Sequence, residues 1–292
     1  MTVVIGLVGR NLRLYFRDRL GVFFSLLGAL ILFVLYMLFL RTLQTNGLAQ
    51  GFPQASSATV NAFVDTWMFA GIVGITTITT GLGAFSTFVD DAVTGRFRDF
   101  LVSPIRRSQL ILGYLFASFL VALIMTLVVF ALSLLYLLIA DGLVLTGAQL
   151  AIIVGEIALS CLGFAALSAF IVSFVRTQGA FSALSTIFGS MLGFIGGAYI
   201  PIGLFPTGVG SFINALPFGQ AITLIRQQLA QDTLPALTAG MPGAEDSLRT
   251  YYGLTAAVGD WQVPIAYVLG VLAVMAVLFT SLAALRIRGR LR

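Results

Sequence analysis

The sequence predicts an all-α integral membrane protein of six transmembrane helices, and three observations carry that prediction. The chain has 292 residues, 59% of them hydrophobic and only 9% charged. Its mean hydropathy of +1.04 is far too high for a soluble domain. The apolar residues fall into runs of membrane-spanning length separated by short polar breaks. The 16 Lys+Arg are all arginine and gather at a few of those breaks, which is how a chain is oriented in a bilayer. The 31 glycines and 25 phenylalanines suit helices packed closely in lipid.

Residues 1–21 come first. Arg10, Arg13 and Arg17 cluster on one face at 100° per residue, and Leu7, Val8, Leu12 and Phe16 spread over the rest. The pattern predicts an amphipathic elbow helix in the membrane interface; the alternative is a basic flank with no defined helix. The arginines come too late for a cleavable signal peptide. Residues 22–292 then form the six-span domain. The first span covers Val22–Leu40, and Arg41 to Asn61 reads as a short polar loop. The second runs from Ala62 to Val89, with Asp65 and Trp67 at its boundary. The third runs from Leu110 to Ala140, behind Ser108 as N-cap. The fourth is Leu150–Val175, the fifth Gly179–Ile200, ending at Pro201, and the sixth Pro264–Leu285. Between the last two lies an outer segment, 201–263. Gly208–Leu216 and Phe218–Leu229 are apolar, too short to span and split by Pro217, which reads as a re-entrant helix pair. A polar loop with four acids follows, from Asp232 to Asp260.

Six spans put both termini on one side. With both inside, 13 arginines are cytoplasmic, and Arg41, Arg226 and Arg249 are outside. That bias sets the expected orientation.

The stretch Asp90–Gly113 concentrates seven charged residues between two apolar runs. Within it, 90–109 is the expected coupling loop. Phe97, Phe100 and Leu101 share one face of a short helix that Gly95 opens. Ser103-Pro104 closes it, because the residue before proline leaves the α region. Exposed Phe97 and Phe100 point to docking on a partner; the bland alternative is a linker between two spans.

Composition also removes chemistry. With no lysine there is no P-loop lysine for ATP, and with no histidine the usual general base and metal ligand are absent. The single cysteine, Cys161, reads as a packing residue. Glu156 sits two turns into the fourth span, either wetted near its outer end or touching substrate or an ion. Gly189, Gly193 and Gly197 form a stripe that permits close helix approach, within one subunit or along a subunit interface or export path. Two further readings stand beside transport driven by a partner: a proton-coupled secondary transporter using Asp65 and Glu156, and a membrane enzyme with a metal ion at Asp90 and Asp91.

Two stretches give the chain a family resemblance. The first is Gly95-Arg96-Phe97-Arg98-Asp99-Phe100-Leu101-Val102-Ser103-Pro104-Ile105-Arg106-Arg107, followed by Gly113. The second is Gly196-Gly197-Ala198-Tyr199-Ile200-Pro201, then Leu204-Phe205-Pro206, Leu216-Pro217-Phe218 and Arg226. In this order the chain resembles the membrane subunits of type-2 ABC exporters, the group of drug-resistance and polysaccharide export permeases. One departure is Asp99-Phe100-Leu101, where the family often carries Glu in E-x-L-L. The resemblance implies a permease that is not itself an enzyme and has no cofactor of its own. It implies a separate ABC ATP-binding subunit, two copies of it, carrying ATP and Mg2+. It implies a second permease subunit, identical or homologous, around a central path, and export of a drug, lipid or glycan. Gly95, Phe97, Arg98, Asp99, Phe100, Leu101, Pro104 and Arg106 would make the ATPase contact. Membrane lipid is an expected partner and nucleic acid is not. The expected location is a bacterial plasma membrane, with both termini cytoplasmic.

Overall fold

The structure, a computed structural model, describes residues 2–97, 105, 107–197 and 199–290. Helix α1 (Thr2–Arg17) stops at Asp18, whose carboxylate accepts from the Gly21 amide at 2.9 Å and so caps the next helix. That helix, α2 (Arg19–Leu35), runs through a π-turn at Tyr36–Leu40 into α3 (Arg41–Gly51). The expected loop from Arg41 is therefore helical for its first eleven residues. The chain leaves the helix only at Phe52, where Pro53 pushes the preceding residue to φ −128°.

Next come α4 (Ser57–Ala84), α5 (Ser86–Val93), α6 (Arg107–Asp141), α7 (Gly147–Val172) and α8 (Gln178–Ile195). A short 3₁₀ turn (Ile202–Leu204) leads to α9 (Thr207–Ala215) and α10 (Pro217–Leu229). These two are bent by 86° about Leu216, and Pro217 opens α10, where a proline's missing N–H costs nothing. Helices α11 (Thr233–Leu237) and α12 (Ala244–Tyr251) follow. A two-stranded hairpin, β1 (Ala257–Val258) with β2 (Trp261–Gln262), then precedes α13 (Ile265–Arg290).

Among the described residues, five helices are long and apolar enough to cross a membrane: Arg19–Gly51, Ser57–Val93, Ser108–Asp141, Gly147–Val172 and Ile265–Ile287. The bent pair α9–α10 counts as a sixth if it is one span. Helix α8, expected to be the fifth span, is not among the five. At 18 residues it is shorter than any of them. It also ends at Ile195 rather than Ile200, because Gly197 turns with φ +62°.

Helix α4 is the axis of the bundle, with α2, α3, α6, α7, α8 and α10 packed around it. Close approach is sequence-encoded. Ser118 on α6 donates to the Gly81 carbonyl at 2.7 Å, and a Cβ at Gly74 would lie 2.4 Å from Ile222 of α10. Hydroxyls buried on α4 bond back to their own helix, as Thr76 does to the Ile72 carbonyl at 2.7 Å. No water is then needed inside lipid. Helix α13 pairs with α7, and Leu7 and Ile287 share one apolar cluster, so both ends of the described chain meet at the same end of the bundle.

At the other end, the segment read as a polar loop is folded onto the helices. The Trp67 indole donates to the Tyr252 carbonyl at 2.8 Å, Thr223 to that of Gly253 at 3.0 Å, and Gln227 to that of Leu254 at 2.6 Å. Four isolated acids gave no hint of this, because the backbone carbonyls make the contacts.

Candidate functional site

The end of the bundle where both ends of the described chain meet also holds the start of the charged segment, and Asp91 is its centre. Asp91 lies on α5 and is fully buried. Arg10 of α1 approaches it in bidentate fashion, Nη1 to Oδ2 at 2.7 Å and Nη2 to Oδ1 at 3.1 Å. Arg96 Nη1 lies 3.2 Å from Oδ1, and the Tyr114 hydroxyl of α6 donates to Oδ2. One carboxylate thus ties together α1, α6 and the turn that opens the charged segment. Its hydrogen bonds raise the pKa of the Arg10 guanidinium above its ordinary value. The neighbouring Asp90 faces elsewhere and accepts from Gln178 Nε2 at the start of α8. The two acids therefore have separate partners, and among the described residues no group of three or more His, Cys, Asp or Glu is placed to hold a metal ion.

Phe97 was expected on an exposed docking face. It is instead buried, in a cluster with Phe88 at 5.1 Å and Tyr114 at 6.0 Å between ring centroids. Burying such a ring is worth about 1.5–3 kcal/mol. Phe88, Phe97 and Tyr114 form one aromatic cluster, and Tyr114 also holds Asp91, so the root of the segment is anchored beside the clasp. Gly95 turns with φ +77°, a conformation that only glycine adopts cheaply. Arg98, Asp99, Phe100, Leu101, Pro104 and Arg106 lie outside the described residues.

Helix α1 reaches Asp91 because it packs tightly on α6. A Cβ at Gly113 would come within 2.7 Å of Leu7 Cβ. Between the α1–α2 hinge and the α4–α5 break lies a cavity of about 340 Å³, lined by Tyr15, Asp18, Ser25, Thr87, Asp90 and Arg96.

The remaining candidates are dispersed. Glu156 is buried on α7, not wetted. Its Oε2 has no hydrogen-bond partner, and neither has Ser160 Oγ one turn on. The three glycines do not make one helix contact within the chain. A Cβ at Gly193 would strike the Tyr199 ring at 1.9 Å, Gly189 has nothing within 4 Å, and Gly197 is the left-handed turn. Tyr199 folds back onto its own helix and fills the notch that the stripe offered.

Two features at the opposite end were missed. Arg41 pairs with fully buried Asp65, at 2.8 Å from Nε and 2.9 Å from Nη2. Arg226, counted as an outside charge, is also fully buried. Its Nη2 donates to the Gly197 carbonyl at 2.6 Å, and its guanidinium lies 5.0 Å from the centre of the Trp67 ring. Only the presence of lone charges in apolar surroundings could have flagged either one.

No curated protein matches the chain. The family model described as "ABC-2 family transporter protein" matches residues 52–285, most of the chain and all of α4 to α12. Members of that family are the transmembrane permease subunits of ABC transporters, and they are not themselves catalytic. With its apolar helices wrapped around α4 and a charged segment rooted at Asp91, this chain belongs to the ABC-2 family of transporter proteins.

Proposed function

We propose that the chain is the membrane subunit of an ATP-driven exporter, coupled to an ABC ATP-binding subunit through the segment that begins at Gly95. The observation that carries this is the Asp91 clasp. The charged segment grows out of a rigid, buried junction of α1, α5 and α6. A load applied to that segment is therefore delivered to three helices at once. Phe97 anchors the root of the segment, and Phe100 and Leu101 with Arg98, Asp99 and Arg106 form the docking surface beyond it. Apolar centres give such interfaces affinity, while rim charges set orientation and on-rate.

In this reading α8 is the fifth span and α9–α10 is a re-entrant pair. Both termini are cytoplasmic in a bacterial plasma membrane, and two permeases with two ATP-binding subunits enclose a path for a drug, lipid or glycan. Single cysteines at positions 106 and 246, in a Cys161→Ala background, test the orientation. An impermeant reagent on intact cells should label 246 only, and labelling of 106 alone overturns it. Coupling is tested with Phe100→Asp in reconstituted vesicles. The variant should insert and pair but release the ATPase, whereas Arg106→Gln should weaken coupling much less. Full ATPase co-purification and transport with Phe100→Asp would reduce the segment to a passive linker.

A further inference from the structure

The cavity of about 340 Å³ beside the Asp91 clasp falls within the roughly 300–1,000 Å³ of small-molecule sites. It lies where two membrane-crossing helices end. Gly21 and Ser25 line it from the start of Arg19–Gly51, and Gly83, Ser86, Thr87 and Asp90 line it towards the end of Ser57–Val93. The ends of spans lie at the level of the lipid headgroups. Leu20, Phe23 and Phe24, sequence neighbours of Gly21 and Ser25 on α2, are exposed. A polar cavity thus adjoins an exposed apolar surface, as the headgroup of a lipid adjoins its chains.

The polar groups of the cavity are only partly engaged. Asp18 caps α2 through Oδ1, and Asp90 accepts from Gln178 through Oδ1. Among the described residues, Oδ2 of Asp18 and Oδ2 of Asp90 have no hydrogen-bond partner, and the hydroxyls of Ser86 and Thr87 have none either. Arg96 uses Nη1 on Asp91 and keeps Nε and Nη2 for another acceptor. Gly21 makes room for one of these groups, since a Cβ there would lie 2.5 Å from Asp18 Oδ2. The sign of the charge differs across the cavity. At the clasp two guanidiniums face one carboxylate. Asp18 and Asp90 are carboxylates with no ion-pair partner among the described residues.

We propose that this cavity binds the headgroup of a membrane lipid that carries both a phosphate and a primary amine. The phosphate lies at Arg96, the ammonium at Asp18 and Asp90, and the chains lie along the exposed apolar residues of α2. A primary ammonium donates three hydrogen bonds, which suits carboxylates with open lone pairs. A trimethylammonium has no N–H to donate, and an anionic headgroup without an amine brings like charge to Asp18 and Asp90. The lipid is a bound partner at the hinge between α1 and α2, a role separate from coupling to an ATPase, so the two readings can fail separately.

The test uses the full chain in mild detergent without any ATPase. Phosphatidylethanolamine, phosphatidylcholine and phosphatidylglycerol with the same acyl chains are added in equal amounts, and retained lipid is counted by native mass spectrometry. Phosphatidylethanolamine should be retained roughly tenfold more than either of the others, the worth of one charge-assisted hydrogen bond. The double change Asp18→Asn with Asp90→Asn keeps both Oδ1 acceptors, so the cap of α2 and the Gln178 contact remain. It should abolish the preference over phosphatidylcholine. Gly83→Leu should abolish it as well by filling the cavity, because nothing lies within 4 Å of a Cβ at Gly83. Free phosphoethanolamine, which has no chains, should not displace the lipid at the same concentration. Equal retention of the three lipids, or a preference that survives either variant, would overturn the proposal. Displacement by free phosphoethanolamine would overturn the assignment to a lipid.

Discussion

Two arginine–aspartate pairs of nearly the same geometry sit at opposite ends of one helical hairpin. At one end Arg10 grips Asp91; at the other Arg41 grips Asp65. Both contacts are bidentate, both carboxylates are fully buried, and the arginine side chains are 30% and 28% exposed. They differ in what they join. Arg41 and Asp65 lie on consecutive helices, α3 and α4, and fasten a hairpin whose loop is short. Asp91 collects donors from α1, from the turn after α5 and from α6, across sequence separations of 81, 5 and 23 residues. The same chemistry thus makes a staple at one end and a hub at the other. What separates the two is the number of elements that meet at the carboxylate, not the strength of the pair.

Breaking the hub should have the largest effect. Asp91→Ala leaves the Arg10 and Arg96 cations without their acceptor and strands the Tyr114 hydroxyl. For a fully buried pair the loss would be about 3–5 kcal/mol; the partial exposure of Arg10 brings it toward the lower end. Thermal melting in detergent reads this directly. The double change Arg10→Leu with Asp91→Leu removes the stranded Arg10 charge and should recover much of the stability. Stimulation of the partner ATPase should stay lost. If stimulation returns together with stability, Asp91 is only another staple.

At the opposite end, Asp65→Ala alone should destabilise by leaving Arg41 unpaired. Arg41→Leu with Asp65→Leu should lie within about 1 kcal/mol of the native chain, since a well-packed apolar pair often replaces an ion pair at no cost. Transport should persist in that double variant. A folded double variant that does not transport would show that the two ends share a functional role.

A smaller effect is expected from Gly113→Ala. The added Cβ would sit 2.7 Å from Leu7 Cβ, and overpacking of this kind costs about 1–3 kcal/mol. It shifts α1 without touching a charge. Coupling lost in proportion to α1 displacement, read by a disulfide between cysteines placed on α1 and α6, would support transmission through the hub. Unchanged coupling would confine the role of α1 to anchoring.

The smallest effect belongs to Gly189→Ala. Nothing lies within 4 Å of the new methyl, so melting of the single chain should move by less than about 0.5 kcal/mol. A larger loss, seen only where two permeases pair, would place that face of α8 against a second copy.

Five of the expected spans were legible because each is a long apolar run, and burial in lipid needs only composition and length. Pro53, Pro217 and Gly197 mark real breaks for local reasons: a ring that forbids the α region before it, a missing donor, and a positive φ. The turn at Gly95 could be read in the same way. By itself, then, the sequence determined an all-helical membrane protein, most of its breaks, and the place where charge is concentrated.

Tertiary structure decided the partners. Nothing local says that Arg10 reaches Asp91 rather than solvent, that Phe97 turns inward to Phe88 and Tyr114, or that Arg226 is buried against the Gly197 carbonyl and the Trp67 ring. Each contact joins elements far apart in the chain, and periodicity along one helix carries no information about which neighbour covers a face. The glycine stripe shows the same limit. Spacing announced room for a close approach, but only the folded chain showed that Tyr199 occupies it at Gly193 and leaves Gly189 open. Hydrophobic pattern specifies which residues leave water; the pairing of the few charges that go with them is settled only when the helices have packed.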